Sequence, residues 1–445
     1  MGKRFKVLYI VLTVGLLFVM GCFVFINTGR HANESQITVP QLFKQNKLNE
    51  HILDDSESYV SQNYGLRNAF LELYTSLQQK IFQTSAVENV VVGRDGFLYF
   101  ADTMDDYLGV RQLSEREVFQ IVHTLELIQE YVTSQNGQFL FVVAPNKNSL
   151  YDYLPYYYVK QSEKKPVQAV FAQLDKVNYV NLFDVFFGQE EILYYKTDSH
   201  WNNQGAYLVY QTILDIFEKD YDGSYQFHAS GLMKGDLYHM LYPDRGANEK
   251  TVTADKVKNY TYLTQTRSTE QNYIESYNEK AQGSLLMFRD SFANNLIDYF
   301  SDSYQYAIYD KTIPYNLFLT ERYQSDTVII EIAERNLYLI QQNFPKFFAP
   351  ERTYEPQNVV EKKFAENLDI KWEADTVSIC GTMDEALLET DSIIYVKYGG
   401  RYYELTPQMV DGHSGFYGIL HNENVKDGEL YLIRGAKVYA QKISF

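Results

Sequence analysis

The middle of the chain, from about residue 86 to 350, alternates between short runs of consecutive apolar residues and longer segments with helical spacing. A continuous apolar run of this length is typical of a strand that is buried on both faces of a sheet. Helical segments such as GAYLVYQTILDIFEKDY and NNLIDYF separate the runs. Strands that alternate with helices predict an α/β domain with a mainly parallel sheet. The predicted strands are QFLFVVAP (138–145), VNYVNLF (177–183), GSLLMF (283–288), SYQYAIY (303–309) and DTVIIEIA (326–333).

Cap and turn residues mark several boundaries inside this region. Ser114 is followed three residues later by Glu117, which is a capping box and predicts that a helix begins there, with Gly137 at its end. The stretch VVVGRDGFLYF (90–100) alternates β-branched and aromatic residues around a GRDG turn, which predicts a hairpin. The polar stretch 244–282 is interpreted as a surface insertion.

The last part of the chain, residues 355–445, has a different character. SIIYVKYGGRYYELT contains two β runs joined at Gly399 and Gly400, and GFYGILHN and GELYLIRGAKVYAQKISF have the pattern of further strands. We therefore expect a small all-β module after the α/β domain.

Residues 1–30 combine a basic flank, KRFK, with an uncharged apolar run over 7–26. About twenty apolar residues are enough to cross a bilayer as a helix, and the basic flank stays in the cytoplasm. This predicts a single-pass transmembrane signal anchor in the cell membrane, with the rest of the chain outside the cell. Two alternatives stay open: VMGC at 19–22 loosely resembles a lipoprotein cleavage box, and the run is also compatible with a cleaved secretory signal.

The segment 31–85 is polar with scattered apolar residues, and AFLELYTSLQQKIF (69–82) has helical spacing, so we interpret it as a stalk and juxtamembrane helix. The predicted domains are thus the cytoplasmic flank and anchor (1–30), the stalk (31–85), the α/β domain (86–350) and the all-β module (355–445).

Composition narrows the possible functions. A formal net charge of -17 argues against sequence-independent binding to nucleic acid, because neutralising phosphates needs a surplus of Lys and Arg. The chain has only two cysteines, Cys22 and Cys380, and Cys22 lies in the N-terminal apolar run. An internal disulfide framework is therefore not expected.

Two segments carry candidate chemistry at predicted strand ends, where open α/β sheets place their active sites. In SLLMFRDSFANN (284–295), Ser291 stands at the start of a helix, so its backbone N–H is free to form half of an oxyanion hole. In KTDSHW (196–201), Asp198 and His200 are two residues apart and project to the same side of an extended segment. A serine needs a base within hydrogen-bond reach, and the base needs an orienting carboxylate, so the three residues form a candidate triad.

The two motifs together resemble a known family. KTDSHWN and MFRDSFA are similar to the motifs of the alginate O-acetylation proteins of AlgX and AlgJ type, the DHHW proteins of the SGNH-hydrolase superfamily. The resemblance covers about residues 58 to 340 and includes VVGRDGFLYF, FVVAPNKNSLYDYLP, GDLYHML and DTVIIEIAERNL. Two departures stand out: the family's Asp-His-His-Trp is Asp-Ser-His-Trp here, and Arg289 occupies the glycine position before Asp-Ser-Phe.

The resemblance implies an SGNH-hydrolase-like fold in which Ser291 is the nucleophile, His200 the general base and Asp198 the orienting acid. It further implies transfer of acetyl groups, through an acetyl-serine intermediate, to hydroxyls of an exported or cell-surface polysaccharide. The acetyl group is expected to come from a membrane-bound O-acyltransferase.

Three further residues are candidates for the oxyanion hole or the substrate site. Asn146 follows the strand FVVAP, and SGNH enzymes use an Asn or Gly beside the serine N–H, so Asn146 is a candidate second oxyanion donor. Trp201 either lines the acyl pocket or stacks on sugar, or it packs in the core. Arg335 either helps to hold the site or forms an ion pair with Glu334.

No metal and no cofactor are expected. Asp236 and His239 in GDLYHML could in principle join Asp198 and His200, but the chain has no HExxH or comparable ligand spacing.

Three functions remain open at this stage: an O-acetyltransferase, an acetylesterase with the same triad, and a non-catalytic glycan-binding or assembly protein. The first two differ only in whether a sugar hydroxyl or water attacks the acyl-enzyme. The all-β module either holds glycan through its tyrosines, such as Tyr395 and Tyr402, or covers an edge of the catalytic sheet.

Overall fold

The computed structural model describes residues 3–22, 39–44, 47–63, 67–221, 225–255 and 258–445. The chain divides into two compact units. The first consists of residues 1–92 and 238–246, and the second of residues 93–237 and 247–445.

The first unit is mainly helical in its described part. Its strands β1 and β2 pair antiparallel, with Phe43 opposite Leu48. The helix predicted over 69–82 is present as α3 and the π-helical turn that follows it at Gln78–Phe82. The elements are the helices α1 (Lys3–Cys22), α2 (Ile52–Asn63) and α3 (Arg67–Leu77) and the strands β1 (Phe43–Lys44), β2 (Lys47–Leu48) and β3 (Val90–Val92).

The membrane anchor predicted for residues 1–30 falls partly on α1. In the ranges of the chain that the structure describes, no helix combines the length and the hydropathy needed to cross a membrane. The anchor is thus not supported by these residues. The remaining part of the predicted anchor, and the beginning of the predicted stalk, lie outside the described residues.

The second unit contains the α/β domain. Its strands up to residue 350 are β4 (Leu98–Phe100), β5 (Gln138–Ala144), β6 (Tyr179–Val180), β7 (Gln226–Met233), β8 (Glu249–Asp255), β9 (Thr261–Tyr262), β10 (Tyr273–Tyr277), β11 (Ser284–Phe288), β12 (Tyr306–Asp310) and β13 (Thr327–Ala333). Its α-helices are α4 (Met104–Leu108), α5 (Glu115–Ser134), α6 (Lys147–Leu150), α7 (Pro166–Phe171), α8 (Leu182–Phe187), α9 (Asn203–Ile216), α10 (Asp236–Leu241, whose last residues belong to the first unit), α11 (Ile297–Ser303), α12 (Phe318–Tyr323) and α13 (Leu339–Gln342).

Seven strands form the central sheet in the order β6-β5-β13-β11-β12-β10-β9. The first five run parallel to their neighbours, whereas β10 is antiparallel to β12 and β9 is antiparallel to β10. The predicted α/β domain is thus confirmed, with a mixed sheet whose parallel part contains the predicted strands. A separate antiparallel pair is formed by β7 and β8.

Two sequence interpretations are wrong in detail. VNYVNLF forms only the two-residue strand β6, because Asn181 caps α8 and turns the chain into a helix. The polar stretch 244–282 is not merely an insertion, since it supplies β8 and the two antiparallel strands at one edge of the central sheet. An edge strand with one solvated face has no continuous apolar run, so the pattern did not reveal it.

The central sheet is buried on both faces, as the continuous apolar runs require. Along β5, Leu140 and Val142 face one core cluster, while Phe141 and Val143 face the other. Helices α8, α9 and α11 contribute to the first cluster, and α5 and α7 contribute to the second. The capping box predicted at Ser114 and Glu117 is present at the start of α5. The domain is therefore a three-layer α/β/α arrangement.

The C-terminal region is rich in strands, as predicted. Gly399 and Gly400 form the turn between β18 and β19 with φ of 57° and 82°, a conformation that glycine adopts without strain. The strands are β14 (Glu351–Arg352), β15 (Val359–Glu361), β16 (Ala365–Trp372), β17 (Thr376–Met383), β18 (Ile393–Tyr398), β19 (Arg401–Val410), β20 (His413–His421), β21 (Asp427–Arg434) and β22 (Lys437–Ser444).

This β region packs against helix α5 of the α/β domain through buried polar groups. The Gln120 side chain donates to the Gln408 carbonyl at 3.1 Å, and the Gln408 side chain donates to the Thr124 hydroxyl at 3.0 Å. All three residues are fully buried. The region therefore contacts a helix on one face of the central sheet, and its role stays a prediction.

Candidate active site

Three segments meet at the carboxyl edge of the central sheet. Strands β5, β13 and β11 are parallel neighbours, so their carboxyl ends lie at the same edge. Residues 145–147 follow β5, residues 334–335 follow β13, and residues 289–291 follow β11. Chemistry in open α/β sheets occurs at this position because the loops after parallel strands converge there.

Ser291 directly precedes the short 3-10 helix Phe292–Asn295. The turn that carries it is fixed by Asp290, whose Oδ1 accepts the Phe292 N–H at 2.8 Å and whose Oδ2 accepts the Ala333 N–H at 2.7 Å. The backbone N–H of Asp290 donates in turn to Glu331 of β13 at 3.0 Å. Asp290 therefore ties the serine turn to the neighbouring strand.

Arg289, the departure from the family's glycine, does not disturb this turn. Its side chain is buried and points to one side, where it donates to the carbonyls of Thr269 (2.9 Å) and Gln271 (2.7 Å) and to the Asn294 side chain (2.7 Å). It also donates to the Asp290 carbonyl at 3.3 Å, so the large side chain is held by four hydrogen bonds around the turn that carries Ser291.

Asp198 and His200 lie at the tip of a hairpin-like loop, which Tyr194 and Trp201 close by an antiparallel bridge. His200 Nδ1 is 2.7 Å from Asp198 Oδ1, and His200 Nε2 is 2.8 Å from Ser291 Oγ. The structure thus brings together the three residues that the sequence put forward as a triad. They form one continuous hydrogen-bonded chain.

The charges within the triad favour an ionised Asp198 beside a basic His200. Burial disfavours the charged forms, but the hydrogen bond and charge of Asp198, with smaller contributions from Asp236 and Asp290, raise the pKa of His200 above its ordinary value. In Asp198 burial is likewise outweighed, mainly by the hydrogen bond from His200, and the pKa of the carboxyl is lowered. The imidazole is therefore a stronger base than free histidine.

Two residues that sequence reasoning did not assign hold the Asp198 loop. Asp236 donates its backbone N–H to Asp198 Oδ2 at 2.9 Å and accepts the Ser199 N–H at 2.8 Å. Lys147 is buried and donates to the carbonyls of Tyr195 (3.0 Å), Lys196 (2.9 Å) and Asp198 (2.6 Å). Burial lowers the pKa of Lys147 to about 8. Asp236 lies in the Gly-Asp-Leu segment and Lys147 in the Pro-Asn-Lys segment. Both segments are part of the family resemblance, which is the sequence signal that could have pointed to these two residues.

Asn146, the candidate oxyanion donor, is fully buried. Its backbone N–H donates to Glu334 at 2.8 Å, and its side-chain amide donates to Asp106 at 3.3 Å. Both groups bond to buried carboxylates. The side-chain amide has two N–H donors, of which the bond to Asp106 uses one, so a role in the oxyanion hole stays a prediction.

Trp201 lies in the core and not at the surface. It is completely buried, stacks on Phe186 with ring centroids 6.1 Å apart and meets Phe292 edge to face at 4.9 Å. This contradicts the interpretation that it stacks on sugar and agrees with the core-packing alternative. The ring centroid of Phe292 is also 4.9 Å from that of His200. Trp201 therefore packs against His200 through the ring of Phe292.

Arg335 lies beside the triad. Its guanidinium carbon is 5.5 Å from the centroid of Phe292, the residue directly after Ser291, and 5.4 Å from that of Phe100. The expected ion pair with Glu334 is not among those found in the described residues, where Glu334 instead accepts from Asn146. Arg335 therefore remains a candidate for contact with substrate.

The same loop contains the group of side chains best placed to hold a metal ion within the described ranges. Potential ligand atoms of Asp198, His200 and Asp236 all lie within 4.8 Å of one another. His200 Nδ1 is already paired with Asp198, and both Asp236 oxygens accept from Ser199. The hydrogen bonds seen here thus use the atoms that a metal would need.

A serine, a histidine and an aspartate joined in this way at the carboxyl ends of parallel strands form the arrangement used by serine hydrolases and acyl transferases. Residues 90–287 match the family model described as the SGNH hydrolase-like domain of the acetyltransferase AlgX. The family resemblance seen in the sequence is thereby confirmed for residues 90–287.

Several solved structures are similar to this chain. PatB1 of Bacillus cereus is 18% identical, with 56% of this chain and 96% of that chain covered and a TM-score of 0.45. A DHHW family protein from Eubacterium siraeum is 15% identical, with coverages of 59% and 97% and a TM-score of 0.46. AlgX of Pseudomonas aeruginosa is 15% identical, with coverages of 79% and 91% and a TM-score of 0.36. A search of the curated proteins found no match.

Proposed function

We propose that this protein is an extracellular O-acetyltransferase that modifies hydroxyls of a cell-surface or exported polysaccharide through Ser291, His200 and Asp198. The observation that carries the proposal is the unbroken hydrogen-bonded chain from Asp198 through His200 to Ser291 Oγ. The match of residues 90–287 to an acetyltransferase family model supports acyl transfer as the class of reaction.

In the first half-reaction, His200 Nε2 takes the proton of Ser291 Oγ while the oxygen attacks the acetyl carbonyl of the donor. Asp198 holds the ring through Nδ1 and stabilises the imidazolium that forms. The tetrahedral intermediate then collapses, the bond to the leaving group breaks, and the proton on Nε2 passes to that group. The product is an acetyl-serine.

In the second half-reaction, a sugar hydroxyl attacks the acetyl-serine. His200 removes the hydroxyl proton while the sugar oxygen bonds to the acetyl carbonyl carbon. The bond from this carbon to Ser291 Oγ then breaks, the acetyl group stays on the sugar, and the proton passes from His200 to Ser291 Oγ. If water attacks instead, the same steps release acetate, which is the esterase reaction.

The oxyanion of both intermediates needs hydrogen-bond donors. The backbone N–H of Ser291 is suitable because the residue precedes a short helix and has no intrahelical acceptor. Arg335, close to Phe292, is our candidate for a second hydrogen-bond donor at the carbonyl oxygen. Asn146 stays a further candidate, because its amide has a second N–H besides the one that bonds to Asp106.

Location and acetyl supply are the parts of the proposal that rest on the sequence. The basic flank and apolar run of residues 1–30 favour an N-terminal anchor with the catalytic domain outside the cell. The family resemblance implies a membrane-bound O-acyltransferase as acetyl supplier. Protease treatment of intact cells tests the location, because an extracellular domain is digested while cytoplasmic proteins survive.

The deciding experiment measures acetate release from a chromogenic acetyl ester and the mass of the acetylated protein. Ser291→Ala should lose activity by about 10³-fold or more and should no longer gain the mass of one acetyl group, because the nucleophile is gone. Ser134→Ala, which changes an exposed serine at the end of α5, is the matched control and should behave as the unchanged protein.

Two results would contradict the proposal. Retention of more than a few per cent of activity in Ser291→Ala would remove Ser291 from the mechanism. Acetate release that no added oligosaccharide diverts into acetylated sugar would favour the esterase over the transferase.

A further inference from the structure

The strand pair β7 and β8 contributes little to the core of the α/β domain. Every residue of both strands is exposed or half-buried. Burial of apolar surface, which stabilises the central sheet, therefore does not explain why the chain builds this pair. The polar contacts at one end of the pair indicate a different role.

That end of the pair lies against the loop that carries Asp198. Met233 of β7 and Glu249 of β8 are opposite each other in the register, at the last position of β7 and the first of β8. Gly235 and Asp236, which follow β7, contact the Asp198 loop. Glu249 contacts the same loop from the start of β8.

The carboxylate of Glu249 accepts three hydrogen bonds from the two residues before Asp198. Its Oε1 accepts the Lys196 N–H at 2.5 Å, and its Oε2 accepts the Thr197 N–H at 2.8 Å together with the Thr197 hydroxyl. Thr197 is buried, so its polar groups need a partner within the protein. A carboxylate offers acceptors only, and one side chain thus satisfies all three donors.

Glu249 and Lys147 bind complementary groups of this loop. The ammonium of Lys147 donates to three carbonyls, one of which is that of Lys196. Glu249 accepts the N–H of the same residue. The peptide groups on both sides of Lys196 are therefore fixed, one by a carboxylate and the other by an ammonium.

The orientation of Asp198 depends on this backbone. Its Oδ1 lies 2.7 Å from His200 Nδ1, which is the contact that orients the ring. An aspartate side chain has only two rotatable bonds, so a shift of its backbone moves the carboxylate by a similar distance. A misplacement of about 1 Å at a catalytic group costs about 100-fold in rate.

We propose that Glu249 is a positioning residue of the active site: through the backbone before Asp198, it holds that carboxylate against His200. The strand pair β7 and β8 is the support from which it does so. This inference rests on the proposed function and adds to it a residue outside the motifs that carry the family resemblance.

The titration of His200 is measured first, by proton NMR on the full chain, because it needs no turnover. The ring signal of His200 among the eight histidines is assigned by its loss in His200→Gln. Glu249→Gln leaves one acceptor oxygen and sets an NH₂ group against a backbone N–H, so the hold on the loop weakens. The hydrogen bond between Asp198 and His200, which raises the pKa of His200, should weaken with it, and the ring should titrate at lower pH.

The rate is measured with the chromogenic acetyl ester. Glu249→Gln should lower kcat by about 10- to 100-fold, because the base loses its orientation. KM should change by less than about threefold, because the groups that bind the ester stay in place.

Two further variants separate position from charge. Glu279→Gln makes the same chemical change at an exposed glutamate between β10 and β11, and it should behave as the unchanged protein. Thr197→Val removes one of the three bonds but no charge. It should shift the titration of His200 in the same direction as Glu249→Gln and lower kcat by about threefold or more. If Glu249→Gln does not fold, the titration and kcat of Thr197→Val decide.

The inference is overturned if His200 titrates in these two variants at the same or a higher pH than in the unchanged protein, even where their melting temperatures fall. The carboxylate would then stabilise the fold without positioning Asp198. It is also overturned if kcat of Glu249→Gln equals that of Glu279→Gln. Failure of the proposed function is distinct: Ser291→Ala would keep its activity, or the unchanged protein would have none, while the titration of His200 still responded to both variants.

Discussion

At the scale of single residues, the acidic groups of the site differ in whether a basic group is paired with them. Asp198 is paired with His200, and this pairing raises the pKa of His200 and lowers that of Asp198. Glu331, buried behind the serine turn, has no cation within an ion pair among the described residues, and burial raises its pKa well above the ordinary value. Burial thus favours the neutral form of Glu331, whose Oε2 accepts the Asp290 N–H at 3.0 Å.

The pH profile tests the coupling of His200 to Asp198. The base must be neutral, so kcat/KM for the acetyl ester should fall as the pH drops through an inflection above 6.5, the ordinary value for histidine. Asp198→Asn removes the charge that raises this pKa. The kcat/KM of the Asp198→Asn variant should be about 10⁴-fold lower than that of the unchanged protein, and its inflection should move to lower pH.

Asp175→Asn, on an exposed loop, is the control for the pH profile and should keep both the rate and the inflection of the unchanged protein. An Asp198→Asn variant whose inflection does not move would mean that another group sets the acid limb.

At the scale of elements, the loop that carries Asp198 and His200 is positioned by its neighbours and not by its own sequence. Lys147 is the first residue of α6, which follows β5, and its ammonium donates to three backbone carbonyls of this loop. On the other side, Gly235 packs directly against the backbone of Thr197 and Asp198. Two elements far apart in the chain thus clamp one short turn.

Gly235→Ala should disrupt this clamp. A methyl group at Gly235 would stand 2.7 Å from the backbone nitrogen of Asp198 and still closer to the Thr197 carbonyl, so backbone must move. A displacement of the carboxylate by about 1 Å costs about 100-fold in kcat, because the imidazole loses its orientation.

Gly246→Ala is the matched control for this change, because an added methyl group there meets no atom within 4 Å. Measuring kcat together with the melting temperature separates misplacement from unfolding. Activity of Gly235→Ala equal to that of Gly246→Ala would show that the loop is not held by this contact.

At the scale of the whole second unit, the α/β domain and the C-terminal β region meet at helix α5. His123 of α5 lies between two carboxylates, with Nδ1 2.8 Å from Glu126 and Nε2 2.7 Å from Glu404 of β19. Arg352 also donates to Glu404 at 2.6 Å. Because these groups are largely buried, the interface is specified by polar pairing as well as by apolar packing.

Stability should depend on pH through His123. Burial disfavours the charged ring, but the hydrogen bonds to Glu126 and Glu404 outweigh it and raise the pKa of His123. A raised folded-state pKa means that the stabilisation is fully present below 6.5, the unfolded value, and is lost as the pH rises through the folded value. The melting temperature of the unchanged protein should therefore exceed that of His123→Gln most below pH 6.5, and the gap should narrow at higher pH.

His413→Gln, at an exposed histidine of β20, is the control and should show a gap that is small at every pH. A constant gap between the unchanged protein and His123→Gln would contradict the linkage.

Local sequence determined the parallel strands and the residues of the candidate triad. Runs such as GSLLMF are apolar at every position, and β5, β11 and β13 lie within these runs because only strands buried on both faces need such a pattern. Asp198 and His200 could be put forward from their spacing alone, since residues two apart in an extended segment share one side.

What the sequence could not decide depends on contacts between distant segments. Ser291 lies 91 residues from His200, and only the order of strands in the sheet brings them within 2.8 Å. The same packing buries Trp201, against the sugar-stacking role that its position beside His200 had indicated, and it places the Asn146 side chain against Asp106. Spacing along a chain fixes which side chains can share a face, whereas the neighbour that each one meets is fixed by how the layers pack.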